Sequence, residues 1–175
     1  MLKEYAKRFE LKVFIETGTY RGDTVKAMLL SGLFDRIHTV DIYEDRVLHS
    51  QSRFKSFPHV ECHWGDSAEV LPVILSKTDK PALFWLDAHH SGKQIARKQG
   101  LIETPILAEL TAALSYSDIY NSVILIDDAR YYIEFPKKYP YYPKTEILQE
   151  MVKTAIPDWI FETEQDIIRC HRRLD

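Results

Sequence analysis

One segment near the start of the chain limits the fold more than any other. Residues 13–24 read Val-Phe-Ile-Glu-Thr-Gly-Thr-Tyr-Arg-Gly-Asp-Thr, so a β-branched and aromatic run enters a glycine turn and a helical pattern follows. A second apolar run, residues 37–41, ends at Asp41. A strand, a glycine turn, a helix and a strand that ends in an acid are typical of a parallel sheet that binds a nucleoside cofactor at its edge.

Strand-like and helix-like patterns alternate along the rest of the chain. Strands are predicted at 12–16, 36–41, 59–63, 82–87 and 122–127. Helices are predicted at 23–31, 44–55, 67–76, 104–116 and 145–154, with Asp66 or Ser67 as the cap of the third. Two further strands, 159–163 and 167–170, are separated only by a short polar turn and must therefore pair antiparallel. The pattern predicts an α/β fold with a doubly wound, mostly parallel sheet and an antiparallel C-terminal strand.

Size and charge exclude several classes of protein. A chain of 175 residues is expected to form one domain, residues 1–175. The net charge of -3, without a long basic run, gives no indication of a nucleic-acid partner. No apolar run is long enough for a membrane span, and the N-terminus has no apolar signal core. Cys62 and Cys170 fall in predicted strands and are expected to be free thiols, so we predict a cytoplasmic protein.

The glycine turn offers a specific binding geometry. Gly18 allows the backbone to approach a ligand closely, and Gly22 allows a helix to start nearby with free N–H groups. Thr17 occupies the place of the first glycine in the dinucleotide pattern, which disfavours NAD and an oxidoreductase. Asp41 is predicted to accept hydrogen bonds from ribose hydroxyls. The alternatives are a structural strand–turn–helix joint and an Asp41 that only caps its own turn.

Three acids follow neighbouring predicted strands. Asp87 ends the fourth strand, and Asp127 and Asp128 end the fifth. Carboxylates that converge repel one another unless they are protonated or bind a cation, and Mg²⁺ prefers oxygen ligands. We predict a site for Mg²⁺ or another divalent cation, which would lower the pKa of a substrate hydroxyl. The alternatives are an acid that caps the turn and an Asp87 that contacts the cofactor without a metal.

Two stretches without clear periodicity, residues 88–103 and 129–144, follow the same strands and are expected to contact the substrate. His89 and His90 lie in the first and are candidates for a metal ligand, a general base or ordinary loop residues. The second contains an aromatic run, residues 131–143, that predicts contact with a flat or sugar-like substrate or with a second subunit in a homo-oligomer. The alternative is that these aromatics fold back onto the core.

The motifs together resemble those of class I S-adenosylmethionine (SAM)-dependent methyltransferases, over residues 11–175. Residues 16–22 resemble the first motif of that family, Val40-Asp41 the second, and residues 65–72 the segment that frames the adenine. The resemblance implies a seven-stranded sheet in a three-layer α/β/α arrangement and SAM as cofactor. The implied cofactor contacts are Glu16, Thr17, Gly18, Thr19, Gly22, Thr24, Asp41, Ile42, Asp66, Ser67 and Asp87.

The three acids resemble those of metal-dependent O-methyltransferases, in which strands four and five also end in acids. This resemblance implies metal ligation by Asp87, Asp127 and Asp128 and methylation of a small hydroxylated substrate, sugar-like or phenolic. His90 stands where the catechol-type enzymes carry a lysine base, so His90 or His89 is the candidate base beside Asp87. A metal-independent methyltransferase and a non-catalytic SAM-binding module are the alternatives.

Overall fold

The computed structural model describes residues 1–88, 104–133 and 142–174, which form a sheet with helices on both faces. The strands are β1 Val13–Thr17, β2 Arg36–Asp41, β3 Val60–Trp64, β4 Ala82–Leu86, β5 Val123–Ile126, β6 Ile160–Glu164 and β7 Ile167–His171. The helices are α1 Leu2–Arg8, α2 Asp23–Leu29, α3 Glu44–Phe54, α4 Ser67–Leu75, α5 Ile106–Tyr120, α6 Arg130–Ile133 and α7 Thr145–Ala155.

The strand order is β3-β2-β1-β4-β5-β7-β6. Strands β1 to β5 pair in parallel, whereas β7 runs antiparallel to both β5 and β6. The predicted doubly wound α/β sheet of seven strands with antiparallel C-terminal pairing is therefore confirmed. The order reverses between β1 and β4, and ligands of open α/β sheets bind outside the carboxyl ends of the strands at such a point.

Two apolar layers cover the sheet because alternate side chains of each buried strand point to opposite faces. One layer joins α4, α5 and α7 to strand residues Ile15, Val40, Phe84, Leu86 and Ile124. The other joins α1, α2 and the end of α3 to strand residues Phe14, Ile37, Leu83, Trp85 and Leu125. Strands β1, β4 and β5 are buried on both faces, which explains their continuous apolar sequences.

Local signals set several element boundaries. Asp66 is the N-cap of α4, and its side chain accepts a hydrogen bond from the Ala68 N–H at 2.9 Å, as predicted. Asn121 ends α5 in the left-handed region. Gln165 and Asp166 both have positive φ values, of 53° and 65°, and they form the two-residue turn between β6 and β7.

The structure also bears on the N-terminus, the two cysteines and the possibility of a membrane span. Helix α1 was not among the predicted helices, and it contributes Tyr5 and Ala6 to the core. Cys62 is half-buried and Cys170 is buried, and both are free thiols as predicted. Within the described ranges, no helix is both long and apolar enough to cross a membrane.

Candidate functional site

The carboxyl ends of β1 and β4 meet in direct backbone contact at the point where the strand order reverses. The Asp87 N–H donates to the Thr17 carbonyl at 3.0 Å, and the Gly18 N–H donates to the Val40 carbonyl at 2.8 Å. Gly18 has a φ of +93°, and an added Cβ would lie 2.4 Å from the Asp87 carbonyl oxygen. A side chain at this position would therefore collide with β4. The close approach that Gly18 provides is to the protein's own β4 backbone, and the predicted approach to a ligand stays a prediction.

A buried cluster holds the loop after β1, and we call Glu16, Thr19 and Thr39 the loop cluster. The Thr39 hydroxyl donates to Glu16 Oε2 at 2.7 Å and lies 2.6 Å from the Thr19 hydroxyl. Because a hydroxyl carries a single hydrogen, a Thr39 that donates to Glu16 accepts from Thr19. The cluster therefore links the ends of two strands to the loop between β1 and α2.

Glu16 lies beneath this loop, with 1% of its surface exposed. Burial raises the pKa of its carboxyl to about 8, against the opposing effect of hydrogen bonds from Thr39 and Thr24. Asp87 and Asp41 raise this pKa further by charge repulsion. Glu16 is therefore mainly protonated at pH 7. Its contacts with Thr24 and Thr39 support a role in shaping the loop, and a direct contact with cofactor stays a prediction.

Asp41 is also buried, and backbone groups use both of its oxygens. The Tyr20 N–H donates to Oδ2 and the Tyr43 N–H to Oδ1, each at 2.9 Å. Arg46 Nη1 lies 3.5 Å from Oδ2, and its guanidinium stacks over the rings of Tyr20 and Tyr43. The turn-capping alternative is therefore observed. Each carboxylate oxygen has a second lone pair, so the ribose contact stays a prediction that this geometry permits.

Thr17 and Gly22, two further predicted residues of the glycine turn, are both closely packed. Thr17 is fully buried, and its hydroxyl oxygen has no hydrogen-bond partner among the described residues. Gly22 is the left-handed N-cap of α2, where an added Cβ would lie 3.0 Å from the Phe54 ring. The predicted close packing at the start of α2 is therefore present.

The predicted adenine side contains exposed apolar surface. Ile42 is 44% exposed and Trp64, the last residue of β3, is 60% exposed. Trp64 donates its indole N–H to the Ile42 carbonyl at 3.2 Å, which fixes the ring beside the end of β2. Ser67 is buried in the first turn of α4, whereas Asp66 is exposed. The exposed ring of Trp64 could pack on the flat face of a purine, and the polar start of α4 could hydrogen-bond the nitrogens at its edge.

The three acids at the ends of β4 and β5 have different surroundings. The Asp127 N–H donates to the Leu86 carbonyl at 3.1 Å, so β5 continues its contact with β4 beyond the strand. Asp127 Oδ1 accepts the Asp128 N–H at 2.8 Å. Asp128 has a φ of 54° and forms an ion pair with Arg130 at 2.6 Å.

Arg130 also connects this rim to the β6–β7 turn. Its side chain pairs with the Asp166 carboxylate, and the Arg130 N–H donates to Asp166 Oδ1 at 2.8 Å. The Ala129 N–H donates to the Asp166 carbonyl at 2.8 Å. The late antiparallel pair therefore buttresses the loop that carries Asp127 and Asp128.

The predicted acid metal site has suitable donor atoms but not a closed arrangement. Among the described residues, Asp87, Asp127 and Asp128 are not a group whose ligand atoms all lie within 4.8 Å of one another. Asp128 is neutralised by Arg130 instead. The three carboxylates as placed do not form a closed ligand set by themselves, and a metal at these acids stays a prediction.

Several predicted contacts fall partly outside the described residues. His89 and His90 lie there entirely, so their assignment as base or metal ligand stays a prediction. Of the aromatic run, Tyr132 and Tyr142 are 3% and 8% exposed and their rings lie 5.5 Å apart in the core. Tyr131 packs on Tyr142 at 5.3 Å. For these three rings the alternative of folding back onto the core is observed.

A charged cleft of about 520 Å³ opens beside the loop, between the starts of α2 and α3. It is lined by Tyr20, Arg21, Asp23, Asp45, Arg46, His49 and Arg53. Arg53 is paired with Asp23 at 2.9 Å and Arg46 with Asp41 at 3.5 Å. The cleft therefore borders the predicted ribose contact, and two of its three arginines, Arg46 and Arg53, are engaged in ion pairs.

Three residues of this site were not predicted from the sequence, namely Thr39, Arg46 and Trp64. Thr39 is a polar residue within a predicted strand, and Trp64 is an aromatic immediately before a glycine, so both carried a weak signal. Arg46 carried none, because its contact with Asp41 depends on how α3 turns away from β2.

Solved methyltransferases share this architecture. A methyltransferase of Podospora anserina bound to S-adenosylhomocysteine (SAH) aligns with a TM-score of 0.64 and 14% identity, over 99% of this chain and 76% of that chain. An O-methyltransferase from Bacillus cereus in complex with SAH aligns with a TM-score of 0.61 and 15% identity, over 98% and 79%.

An N-methyltransferase from Bradyrhizobium japonicum aligns with a TM-score of 0.55 and 10% identity, over 99% of this chain and 92% of that chain. No protein-family model matches the chain, and no curated protein matches its sequence. The chain has the fold of class I SAM-dependent methyltransferases.

Proposed function

We propose that this protein is a SAM-dependent methyltransferase that methylates an oxygen atom of a small hydroxylated substrate, sugar-like or phenolic. The observation that carries the proposal is the arrangement of strand ends at the β1–β4 reversal, where a cofactor crevice is predicted. There Gly18 contacts the β4 backbone, and Asp41 and the three acids lie on the same rim. Neighbours of this fold were solved with SAH or SAM bound. Their identities of 14–15% support the cofactor class without specifying the acceptor.

The cofactor contacts follow from the strand ends. The Gly18 turn, held from below by Glu16 and Thr39, would bind the methionine end, and Asp41 would accept hydrogen bonds from the ribose. Ile42, Asp66 and Ser67 would contact the adenine, with the exposed face of Trp64 beside them. The unpartnered hydroxyl oxygen of buried Thr17 leaves polar capacity at the base of this crevice.

SAM supplies an activated methyl group on a sulfonium. The protein's task is to hold the acceptor oxygen in line with the S–CH₃ bond and to accept the proton that the hydroxyl loses as the O–CH₃ bond forms. Asp87 lies at the correct strand end to orient the acceptor, and His90 or His89 is the candidate base. A divalent cation at Asp87, Asp127 and Asp128 is the metal-assisted alternative, and we assign no step to it.

Calorimetry tests the cofactor assignment directly. SAM and SAH should bind to the purified protein, whereas NADH should not. Asp41→Asn should weaken SAM binding about tenfold, because the ribose hydroxyls lose a charged acceptor. Asp79→Asn, an exposed acid just before β4 and so at the opposite end of the sheet, is the control and should bind normally. An absence of SAM and SAH binding would contradict the proposal.

Turnover distinguishes the remaining alternatives. Labelled SAM should pass its methyl group to phenols or sugars in a substrate panel. Activity that is lost with a chelator and restored by Mg²⁺ would support the metal-assisted alternative, and activity unaffected by the chelator would support the metal-independent one. SAM binding without turnover on any acceptor would support the non-catalytic module. Sedimentation would test the predicted homo-oligomer.

A further inference from the structure

Two histidines and a glutamate converge on the outer strands of the sheet, away from the predicted cofactor crevice. We call His38, Glu61 and His63 the histidine cluster, and one ligand atom from each of the three lies within 4.8 Å of the others. Among the described residues, this is the one such group that could hold a metal ion. It lies within β2 and β3 rather than at their carboxyl ends.

The strand register explains why these side chains meet. His38 and Glu61 are directly paired across β2 and β3, and His63 follows Glu61 by two residues on the same face. His38 Nδ1 lies 3.1 Å from His63 Nε2, and the ring centroids are 5.4 Å apart. Two nitrogens that share one tetrahedral zinc ion lie about 3.4 Å apart for bonds of about 2.05 Å. The cluster is therefore already close to the spacing of zinc ligands.

One buried polar atom of the histidine cluster has no hydrogen-bond partner among the described residues. His38 is only 5% exposed, and its Nε2 atom is buried without a hydrogen-bond partner among the described residues. Its Nδ1 shares one hydrogen with His63, so the pair satisfies half of this buried ring. The nitrogen that faces His63 is Nδ1, so a metal shared with His63 would bind Nδ1 and leave the ring hydrogen on Nε2. The case for a metal therefore rests on the convergence of His38 Nδ1, the second imidazole and the carboxylate.

The cluster is also accessible from one side. Glu61 has 42% of its side chain exposed and His63 is half-buried, so an ion can enter and a water molecule can complete the coordination. Glu61 is paired with Arg36 at 3.3 Å, and the Arg36 side chain is 62% exposed. An exposed ion pair contributes at most about 1 kcal/mol, so a divalent metal can replace this partner.

We propose that His38, Glu61 and His63 bind a divalent transition metal of the zinc type that ties edge strand β3 to β2. Two imidazoles and one carboxylate suit zinc, nickel or copper and are a poor set for Mg²⁺, which prefers oxygen.

Zinc titration of tag-free, chelator-treated protein tests the proposal. One equivalent of Zn²⁺ should bind in the micromolar range or tighter, and excess Zn²⁺ should raise Tm by several degrees because the ion binds the folded state. Co²⁺ should give the visible absorption spectrum of a tetrahedral site. Excess Mg²⁺ should not displace Zn²⁺.

Variants locate the site. His63→Gln and Glu61→Gln should each reduce Zn²⁺ affinity at least tenfold and abolish the zinc-dependent rise in Tm, with the chelated Tm showing that both variants fold. His59→Gln, a half-buried histidine just before β3, is the matched control and should bind like the wild type. Unchanged Zn²⁺ binding in His63→Gln and Glu61→Gln, or a site that disappears instead in Asp127→Asn/Asp128→Asn, would overturn the proposal.

Discussion

The loop cluster and the histidine cluster each include one residue of β2, and these two residues, Thr39 and His38, are neighbours in the chain. The clusters differ in how completely their polar atoms are hydrogen-bonded. Thr39 faces Glu16 across β1 and β2, and the hydrogen bonds continue to Thr19. His38 faces Glu61 across β2 and β3, on the opposite side of the sheet, and leaves one buried nitrogen without a partner among the described residues.

The two clusters illustrate two different roles of buried polar side chains. A hydrogen-bonded network positions backbone, because each member fixes the next, and the loop cluster therefore shapes the turn that carries Gly18. In the histidine cluster, the unpaired Nε2 of His38 costs stability, while Nδ1 lies close enough to His63 for the two rings to share a metal. The predictions below test whether the two clusters behave in these two ways.

Gly18→Ala should have the largest effect, because it forces a Cβ to within 2.4 Å of the Asp87 carbonyl oxygen at a φ of +93°. Overpacking and backbone strain together should lower the free energy of unfolding by about 4 kcal/mol. Urea unfolding measures the loss. Gly32→Ala is the matched control, since Gly32 also has a positive φ of +64° but no atom within 4 Å, and it should cost only about 1 kcal/mol.

Glu16→Gln should change how stability depends on pH. The raised pKa means that folded Glu16 keeps its proton up to about pH 8, whereas the unfolded chain loses it near the ordinary value of 4.5. Its contribution is therefore fully present below about pH 4.5 and is lost as pH rises through 8, at up to about 1.4 kcal/mol per pH unit. The glutamine variant should lack this decline, so from pH 4.5 to pH 8 it should gain about 4 kcal/mol of stability relative to the wild type.

Unfolding at a series of pH values measures the effect. Glu69→Gln, an exposed acid on α4, is the control and should retain the wild-type pH profile. A glutamine variant at position 16 with the same pH slope as the wild type would show that Glu16 is ionised in the folded protein.

Neighbouring substitutions on β2 compare the clusters directly. Thr39→Val keeps the shape but leaves Glu16 and Thr19 without their shared partner, so it should cost about 2 kcal/mol. His38→Leu, measured with a chelator, removes a buried nitrogen that has no partner and should cost less than about 1 kcal/mol. With Zn²⁺ the cost of His38→Leu should rise, because only the wild type gains from the metal. Equal costs for both variants under chelation would contradict the contrast.

Arg36→Gln should have the smallest effect on stability, below about 0.5 kcal/mol, because its pair with Glu61 is exposed. It should nevertheless strengthen Zn²⁺ binding severalfold, since Glu61 no longer has a competing cation. Zinc calorimetry measures the change, with Arg172→Gln, an exposed arginine after β7, as control. Weaker binding in Arg36→Gln would mean that the arginine supports the site rather than competing for it.

Much of the fold was predictable from the sequence because its signals are local. The apolar runs of β4 and β5, the glycine turn and the cap at Asp66 each act within a few residues, and the short β6–β7 turn permits only antiparallel pairing. Helix α1 was missed because its burial depends on contacts with the distant strands β4 and β7, where Tyr5 and Phe9 meet His171.

The candidate site was predictable in position but not in its contacts. The sequence placed Glu16, Gly18, Asp41 and Asp87 at strand ends, and parallel strands bring such ends to one rim. It did not reveal that Asp41 accepts two backbone N–H groups, because that depends on the path of the loops at Tyr20 and Tyr43. The ion pair between Asp128 and Arg130 likewise depends on local backbone geometry and on the turn at Asp166.

The sequence by itself determined the α/β alternation, the glycine turn and the order of chemical groups along the chain, since these follow from periodicity and backbone preference. Only the tertiary structure decided which polar residues meet. His38 and His63 are 25 residues apart in sequence and come within 3.1 Å because the register of β2 against β3 aligns them. Strand register is a property of the whole sheet, because it depends on the packing of both faces, and no local pattern contains it.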